Sequence, residues 1–413
     1  MVKKILGGLG TSVLMAALVI AQAPQAPAGG GAGAGRGAGA GAGGGQGAGG
    51  GRGGGRGAGA AAGDQAGGGG GRGGGEATAA QWASPNPEAA KWIAEAKKIA
   101  GNDPDLIFDE GIFCQAGRGA NGENRATVGV PNSEPKLQPF GAPNPPQVLG
   151  MQRLFDNFYW VGQTGIGAWI ITSDNGYIVY DAMNNTADAR DIIVPAMVKA
   201  GMDPKNIKYL IFGHYHGDHT GGGRYLQKIS GAKAVMHWAD WELYLRPYQA
   251  ANRPTTGRGG QPLDPDDMVP MTRDIDATDG MEITIGNRQK VTVTIYQMTG
   301  HTPGSLGMIV PVRYENRDHP ILIVTAGNAF PNINAFIGGY EHIWDIGIQR
   351  KVESVMQAHP NTNMNLLART KYVNDNYGKM PKNPLLYGPE RTARYINIVR
   401  ACSRAHIALT GMM

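Results

Sequence analysis

Between residues 29 and 75, 29 of 47 positions are glycine, and no side chain there is both apolar and larger than alanine. Such a stretch cannot bury enough surface to offset the entropy of ordering its backbone. It reads as a flexible tether and confines any packed core to the residues after Gly75. The absence of a Gly-X-Y period and of proline excludes a collagen triple helix. Of 413 residues, 338 lie beyond Gly75, ample for one large core.

The tract also distorts the charge balance. Lys3, Lys4, Arg36, Arg52, Arg56 and Arg72, set against Asp64, account for the whole formal charge of +5. The remainder, from Glu76 onward, is formally neutral. A basic groove on the folded part therefore has no compositional support, and no nucleic-acid partner is expected. A nucleic-acid-binding protein or nuclease using the Arg/Gly tract is the reading from another class. Four arginines and no aromatic side chain to stack on bases argue against it.

Ahead of the tract, Lys3 and Lys4 precede an apolar run over residues 5–21. Small residues come next, with Val19-Ile20-Ala21 or Ala26-Pro27-Ala28 as cleavage sites. Charged start, short apolar middle and small-residue end predict a secretory signal peptide over residues 1–28. The run is shorter than the ~20 residues of a spanning helix, so no stable membrane anchor is expected. The mature chain is expected to be periplasmic or secreted. Export would place Cys114 and Cys402, the two cysteines, in an oxidising compartment. A single disulfide and two buried thiols both remain open.

Order is expected from about Pro85. Asn86 is an N-cap with Pro87 in the first helical position, and residues 89–100 carry Trp92, Ile93, Ala96 and Ile99 at helical spacing. The polar, Pro/Gly-rich stretch at 117–147 predicts an irregular arm, making residues 76–150 an N-terminal helix and arm. From 151 to 413 a single domain is expected. Strand-like runs fall at 158–161, 168–172, 177–180, 208–212, 232–237, 282–285, 291–297, 306–312 and 321–325, and helical patterns at 187–200, 241–245, 349–357 and 390–407. Two sheets covered by helices is the natural packing.

The chemistry is concentrated in His214-Tyr215-His216-Gly217-Asp218-His219, four potential ligands in six residues, between a buried strand and Gly221-Gly222-Gly223. Residues two apart in an extended turn point the same way, so His214 and His216 can hold one metal. The chain then bends, and Asp218 and His219 can face a second. Imidazole with carboxylate is a zinc-type donor set. Among the other histidines, His237 is expected to be structural at a strand end, His319 to lie in a polar turn, and His406 to end a helix.

This string resembles the His-x-His-x-Asp-His signature of the metallo-β-lactamase superfamily, whose fold is an αββα sandwich. The resemblance continues through Gly300-His301-Thr302-Pro303-Gly304-Ser305, Ala358-His359-Pro360 placed after a helix, and Tyr180-Asp181 at a strand end. It ends with Asn383-Pro384-Leu385-Leu386-Tyr387-Gly388-Pro389-Glu390. It covers roughly residues 151–409 and is strongest toward the third, His-rich subclass. It implies two zinc ions: one on His214, His216 and His301, the other on Asp218, His219 and His359. Asp181 would stand behind the ligands, and Asp218 would also orient a zinc-bound hydroxide.

Two departures bear on substrate. The superfamily often has a bridging Asp after the strand at 321–325, where this chain has Gly327 and Asn328. That disfavours a glyoxalase-II-like thioesterase. Members of the third subclass commonly carry Ser nearby to hold a β-lactam carboxylate, and Asn328-Ala329 supplies none. Asn328 and His342 are the candidate pocket residues. The resemblance implies a dizinc hydrolase opening a cyclic amide or ester of a small molecule, with a lactonase or other ester hydrolase of the same fold as the alternative.

Overall fold

Two β-sheets carry the architecture. The first runs β1 (Val148–Phe155), β2 (Phe158–Gln163), β3 (Gly167–Ser173), β4 (Gly176–Tyr180), β5 (Ile207–Ile211), β6 (Lys233–His237) and β7 (Ile275–Ala277), with spatial order equal to chain order. β1 to β4 pair antiparallel through short turns, whereas β4 to β7 are parallel and joined by helical crossovers. The second sheet is ordered β12-β11-β10-β9-β8, from β8 (Met281–Ile285), β9 (Val291–Gln297), β10 (Leu306–Tyr314), β11 (Arg317–Val324) and β12 (Ser354–Gln357). Only its β11–β12 pair is parallel. The structure, a computed structural model, describes residues 79–114, 146–251, 255–256, 262–325, 336–360 and 366–411. The expected signal segment, the tether and all but the last two residues of the 117–147 arm lie outside these.

The helices are α1 (Ala79–Ala83), α2 (Pro87–Ala100), α3 (Pro104–Phe113), α4 (Thr186–Asp188), α5 (Val194–Lys199), α6 (Gly217–Thr220), α7 (Gly223–Ser230), α8 (Trp238–Gln249), α9 (Glu341–Gln349), α10 (Leu366–Asn376) and α11 (Pro389–Thr410). A π-helical segment, Ala189–Ile193, joins α4 to α5. None of the described helices is long and apolar enough to cross a membrane.

Alternation along the strands sorts side chains into three apolar layers. Between the sheets, Phe158, Trp169, Ile211 and Val235 meet Val293, Met308, Ile321 and Ile323. The outer face of the first sheet, with Ile170, Val179, Leu210 and Phe212, packs on Ile193, Met197, Leu226 and Trp241. On the other side Ile309, Leu322, Val324 and Val355 pack against Trp344, Tyr395, Ile396 and Val399. The result is the expected αββα sandwich.

Several local readings change. Residues 349–357 are the end of α9, a turn through Lys351 at φ 51°, and β12, rather than a helix. All four β12 residues are buried, and a short, continuously buried strand in a parallel pair has no period to betray it. His359 therefore follows a strand. His319 lies inside β11, buried, with Nδ1 3.0 Å from Glu353 Oε2, rather than in a polar turn. His342 sits on α9. Cys114 and Cys402 form a disulfide that ties the end of α3 to α11.

Candidate metal centre

β5 lies between β4 and β6, and the chain leaves its carboxyl end through Phe212 and Gly213 into the histidine loop. His216 is the residue before α6, so Asp218 and His219 fall in that helix's single turn. Gly221 and Gly222 then hug the chain after β4: Gly221 N–H donates to Met183 O at 3.0 Å, and Gly222 N–H to Ala182 O at 3.2 Å. A Cβ on Gly221 would fall 2.0 Å from Asn184 O, so a larger residue would push the loop off the sheet.

His214, His219 and His359 each have one ring nitrogen engaged, with the other facing the site. His214 Nδ1 is 2.7 Å from Thr325 Oγ1, His219 Nδ1 is 2.8 Å from Asp181 Oδ2, and His359 Nδ1 is 2.8 Å from Gly165 O. Such outer contacts fix ring orientation and tautomer in metal sites. The inward-facing nitrogens converge. His301 Nε2 lies 3.0 Å from His216 Nδ1, and Asp218 Oδ2 lies 3.4 Å from both His219 Nε2 and His359 Nε2.

Two groups of three have ligand atoms all within 4.8 Å: His214, His216 and His301, and His214, Asp218 and His219. His359 joins the second through Asp218. Tetrahedral ligands 2.0–2.1 Å from one ion lie about 3.3 Å apart, the scale of these separations. Among the described residues the buried His214 Nε2 meets no hydrogen-bond partner, a costly arrangement for an imidazole unless a cation takes its lone pair. The donor chemistry of these residues fits a zinc-type metal ion.

The electrostatics divide the histidines. Burial, then the neighbouring imidazoles, push His301 down to about 3 and His214 well below its ordinary value, so both present lone pairs. Burial opposes charge on His219, but Asp181 and Asp218 outweigh it and push that ring up to about 10. Burial also pulls Asp218 up, yet His219 and His359 hold its carboxyl far below the usual range.

Asp181 directly follows β4 at φ 66°, a conformation few non-glycine residues adopt and Asp tolerates best. That backbone lets one carboxylate take Gly213 N–H at 2.9 Å and His219 Nδ1–H at 2.8 Å.

The two expected pocket residues stand differently. Asn328 lies outside the described residues. His342 pairs instead with Asp279, 3.0 and 3.1 Å from its two carboxylate oxygens. Besides Gly165, sequence reasoning missed two side chains at the site. Thr325 contacts His214 across the sandwich. Asp240, fully buried on α8, accepts hydrogen bonds from Tyr215, Thr302 and Gly304. Burial raises its carboxyl above the ordinary value despite those donors.

Residues 162–310 match the family model described as Metallo-beta-lactamase superfamily, a span holding His214, His216, Asp218, His219 and His301 but not His359. The stretch from within β2 into β10 is thus similar to that superfamily. Solved structures share the fold. A Cronobacter sakazakii metallo-beta-lactamase with a HARLDQ motif aligns at TM-score 0.52 and 20% identity, over 65% of this chain and 97% of its own. A mutant of the metallo-beta-lactamase from Legionella gormanii aligns at 0.51 and 18%, over the same 65% and 97%. The Rm3 metallo-beta-lactamase aligns at 0.50 and 21%, over 63% of this chain and 94% of its own.

Proposed function

We propose that this protein is a secreted dizinc hydrolase that opens a cyclic amide or ester, β-lactam-like, in a small molecule. The observation that carries the reading is the pair of adjacent donor clusters, with His214 Nε2 buried and unpaired between them. His214, His216 and His301 would hold one zinc, and Asp218, His219 and His359 the other. When bound, zinc lowers the pKa of a coordinated water to about 7 and polarises a carbonyl oxygen.

The chain's own groups do the rest. Asp218 stays ionised, so its Oδ1 can accept a hydrogen bond from the attacking water and keep a lone pair aimed at the ring carbonyl. Asp181 holds His219 by its Nδ1–H, and Gly165 O holds His359 likewise. The three-His cluster is largely buried on its His214 side, which keeps bulk water from that face. Export is supported by the signal-like leader and by the Cys114–Cys402 disulfide, a bond that persists in oxidising compartments.

The test is a hydrolysis panel with zinc-loaded protein, comprising nitrocefin, carbapenems, acyl-homoserine lactones, thioesters and phosphodiesters, alongside elemental analysis. Turnover of a cyclic amide or ester with about two zincs per chain, abolished by chelation and restored by zinc, is the expected result. Under one zinc equivalent after zinc-replete purification refutes the dizinc reading. Turnover confined to thioesters or phosphodiesters refutes the substrate class.

A further inference from the structure

We propose that Asp240 is a positioning residue that sets the spacing of His216 and His301 and thereby tunes the first cluster's affinity for zinc. The proposal rests on the metal-binding reading of that cluster. Asp240 stands in the first turn of α8, where an acidic side chain ordinarily serves its own helix's free N–H groups or points to solvent. Here it does neither.

Its carboxylate is 0% exposed, and all three of its hydrogen bonds run to the two loops that carry the histidines. Oδ2 accepts Tyr215 N–H at 3.0 Å and the Thr302 hydroxyl at 2.6 Å, and Oδ1 accepts Gly304 N–H at 2.7 Å. Tyr215 sits between His214 and His216, and Thr302 directly follows His301. The grip is therefore one residue from a ligand on each side. Buried, charge-assisted bonds of this kind are among the stronger ones a protein makes.

The loop around His301 is shaped to receive that grip. A carboxylate can only accept, so the Thr302 hydroxyl must donate to Asp240. Its own oxygen then accepts from Ser305, whose Oγ is 2.8 Å away. Ser305 Oγ in turn accepts Thr302 N–H at 2.9 Å. The direction of every proton in the chain follows from the one carboxylate. Gly304 is the residue that permits the approach. A Cβ there would lie 2.7 Å from Asp240 Oδ1 and 2.8 Å from His237 Nδ1, lifting the loop from α8. The His216–His301 distance of 3.0 Å is thus held by a clamp neither histidine belongs to. Asp181, by contrast, serves the other cluster through His219.

The experiment is a stepwise zinc titration of the full-length chain, stripped by chelation, in competition with a chromophoric chelator. It is run for the wild type, Asp240→Asn, Thr302→Val and Thr302→Ser. Asn keeps the shape but turns an NH₂ toward a backbone N–H, and Val keeps the volume of Thr while deleting its hydroxyl. The expected result is a 10- to 100-fold weaker affinity for one of two zincs in Asp240→Asn. A smaller loss at the same step is expected in Thr302→Val and wild-type behaviour in Thr302→Ser, with the thermal melts of the stripped Thr302 variants unchanged. Should Asp240→Asn fail to fold, the Val and Ser pair decides alone. Two-site binding identical to wild type in both Asp240→Asn and Thr302→Val overturns the proposal and leaves the metal reading standing. Equal weakening at both sites with a lowered melt of the stripped protein assigns a purely structural role and also overturns it. A wild-type chain that binds no zinc defeats the metal reading itself, and this inference with it.

Discussion

Opening the Cys114–Cys402 bond should cost stability without moving the helices it joins. Both cysteines are 1% exposed, with Cα atoms 4.6 Å apart and a sequence separation of 288. The same helices are pinned independently. Arg391 Nε reaches Asp103 Oδ2 at 2.6 Å, and its Nη2 reaches Asp105 Oδ2 at 2.8 Å. Arg394 Nη2 donates to Ile99 O and Ala100 O, both at 2.9 Å. The native fold therefore survives the loss, and the effect falls on the unfolded chain. On the chain-entropy account a loop this long contributes about 5–6 kcal/mol, and native bridges typically deliver nearer 2–5. At roughly 2 °C per kcal/mol for a domain this large, the expected fall in Tm is about 4–10 °C. The variant is Cys114→Ala with Cys402→Ala, which avoids burying an unpaired serine hydroxyl. Calorimetric melts of zinc-replete protein should show the reduced wild type and the double variant coinciding below the oxidised wild type. The double variant should be insensitive to reductant. Two free thiols in the purified exported protein, or a double variant that melts with the oxidised wild type, would refute the reasoning.

Asp181→Asn should weaken the second zinc by 10- to 100-fold in the same chelator competition while leaving the fold intact, because Asn tolerates the φ of 66° but offers His219 no charge. His359→Ala should leave close to one zinc per chain by elemental analysis; two would show that His359 is not a ligand. Acid should loosen the N-terminal helices through Asp103. Burial raises that carboxyl, but the Arg391 guanidinium and two backbone N–H groups hold it below its ordinary 3.8. A depressed folded pKa contributes stability above 3.8 that is lost as pH falls through the folded value. The stability gap between wild type and Arg391→Gln, read by denaturant titration, should accordingly stay constant near neutrality and narrow below about pH 3.8; a gap that widens there would show the sign to be wrong.

Much of the fold was legible because its signals are local. Turn chemistry at Ser173-Asp174-Asn175-Gly176 fixes the β3–β4 hairpin, and Asn86 with Pro87 starts α2 where expected. The same signature at Asp103-Pro104 opens α3, a helix the sequence patterns had not singled out. β12 shows the limit of periodicity. Val352, Val355 and Met356 fit a helical face as well as a strand, and the arbiter is the parallel pairing with β11, a partner some 30 residues away. His319 failed for the same reason. Its flanks look like a turn, but Glu353 comes from the far side of that pairing and makes a buried position tolerable.

The site divides along a similar line. Ligands announce themselves by residue type and spacing, since few side chains offer an imidazole nitrogen and six converging donors are rare by chance. The groups that aim those ligands carry no such mark. Asp240 in sequence is one acid in a helix start, Thr325 one hydroxyl at a strand end, and Gly165 O a backbone atom any residue would supply. Their roles exist only once β5, β6, β10 and β11 bring three distant loops to one edge of the sandwich. Chemistry was therefore readable before geometry, and affinity was not. The donor types point to a zinc-type ion, whereas Asp181, Thr325 and Asp240 hold the rings and loops that carry those donors. His342 on α9, expected from the sequence to line the pocket, pairs with Asp279 between β7 and β8.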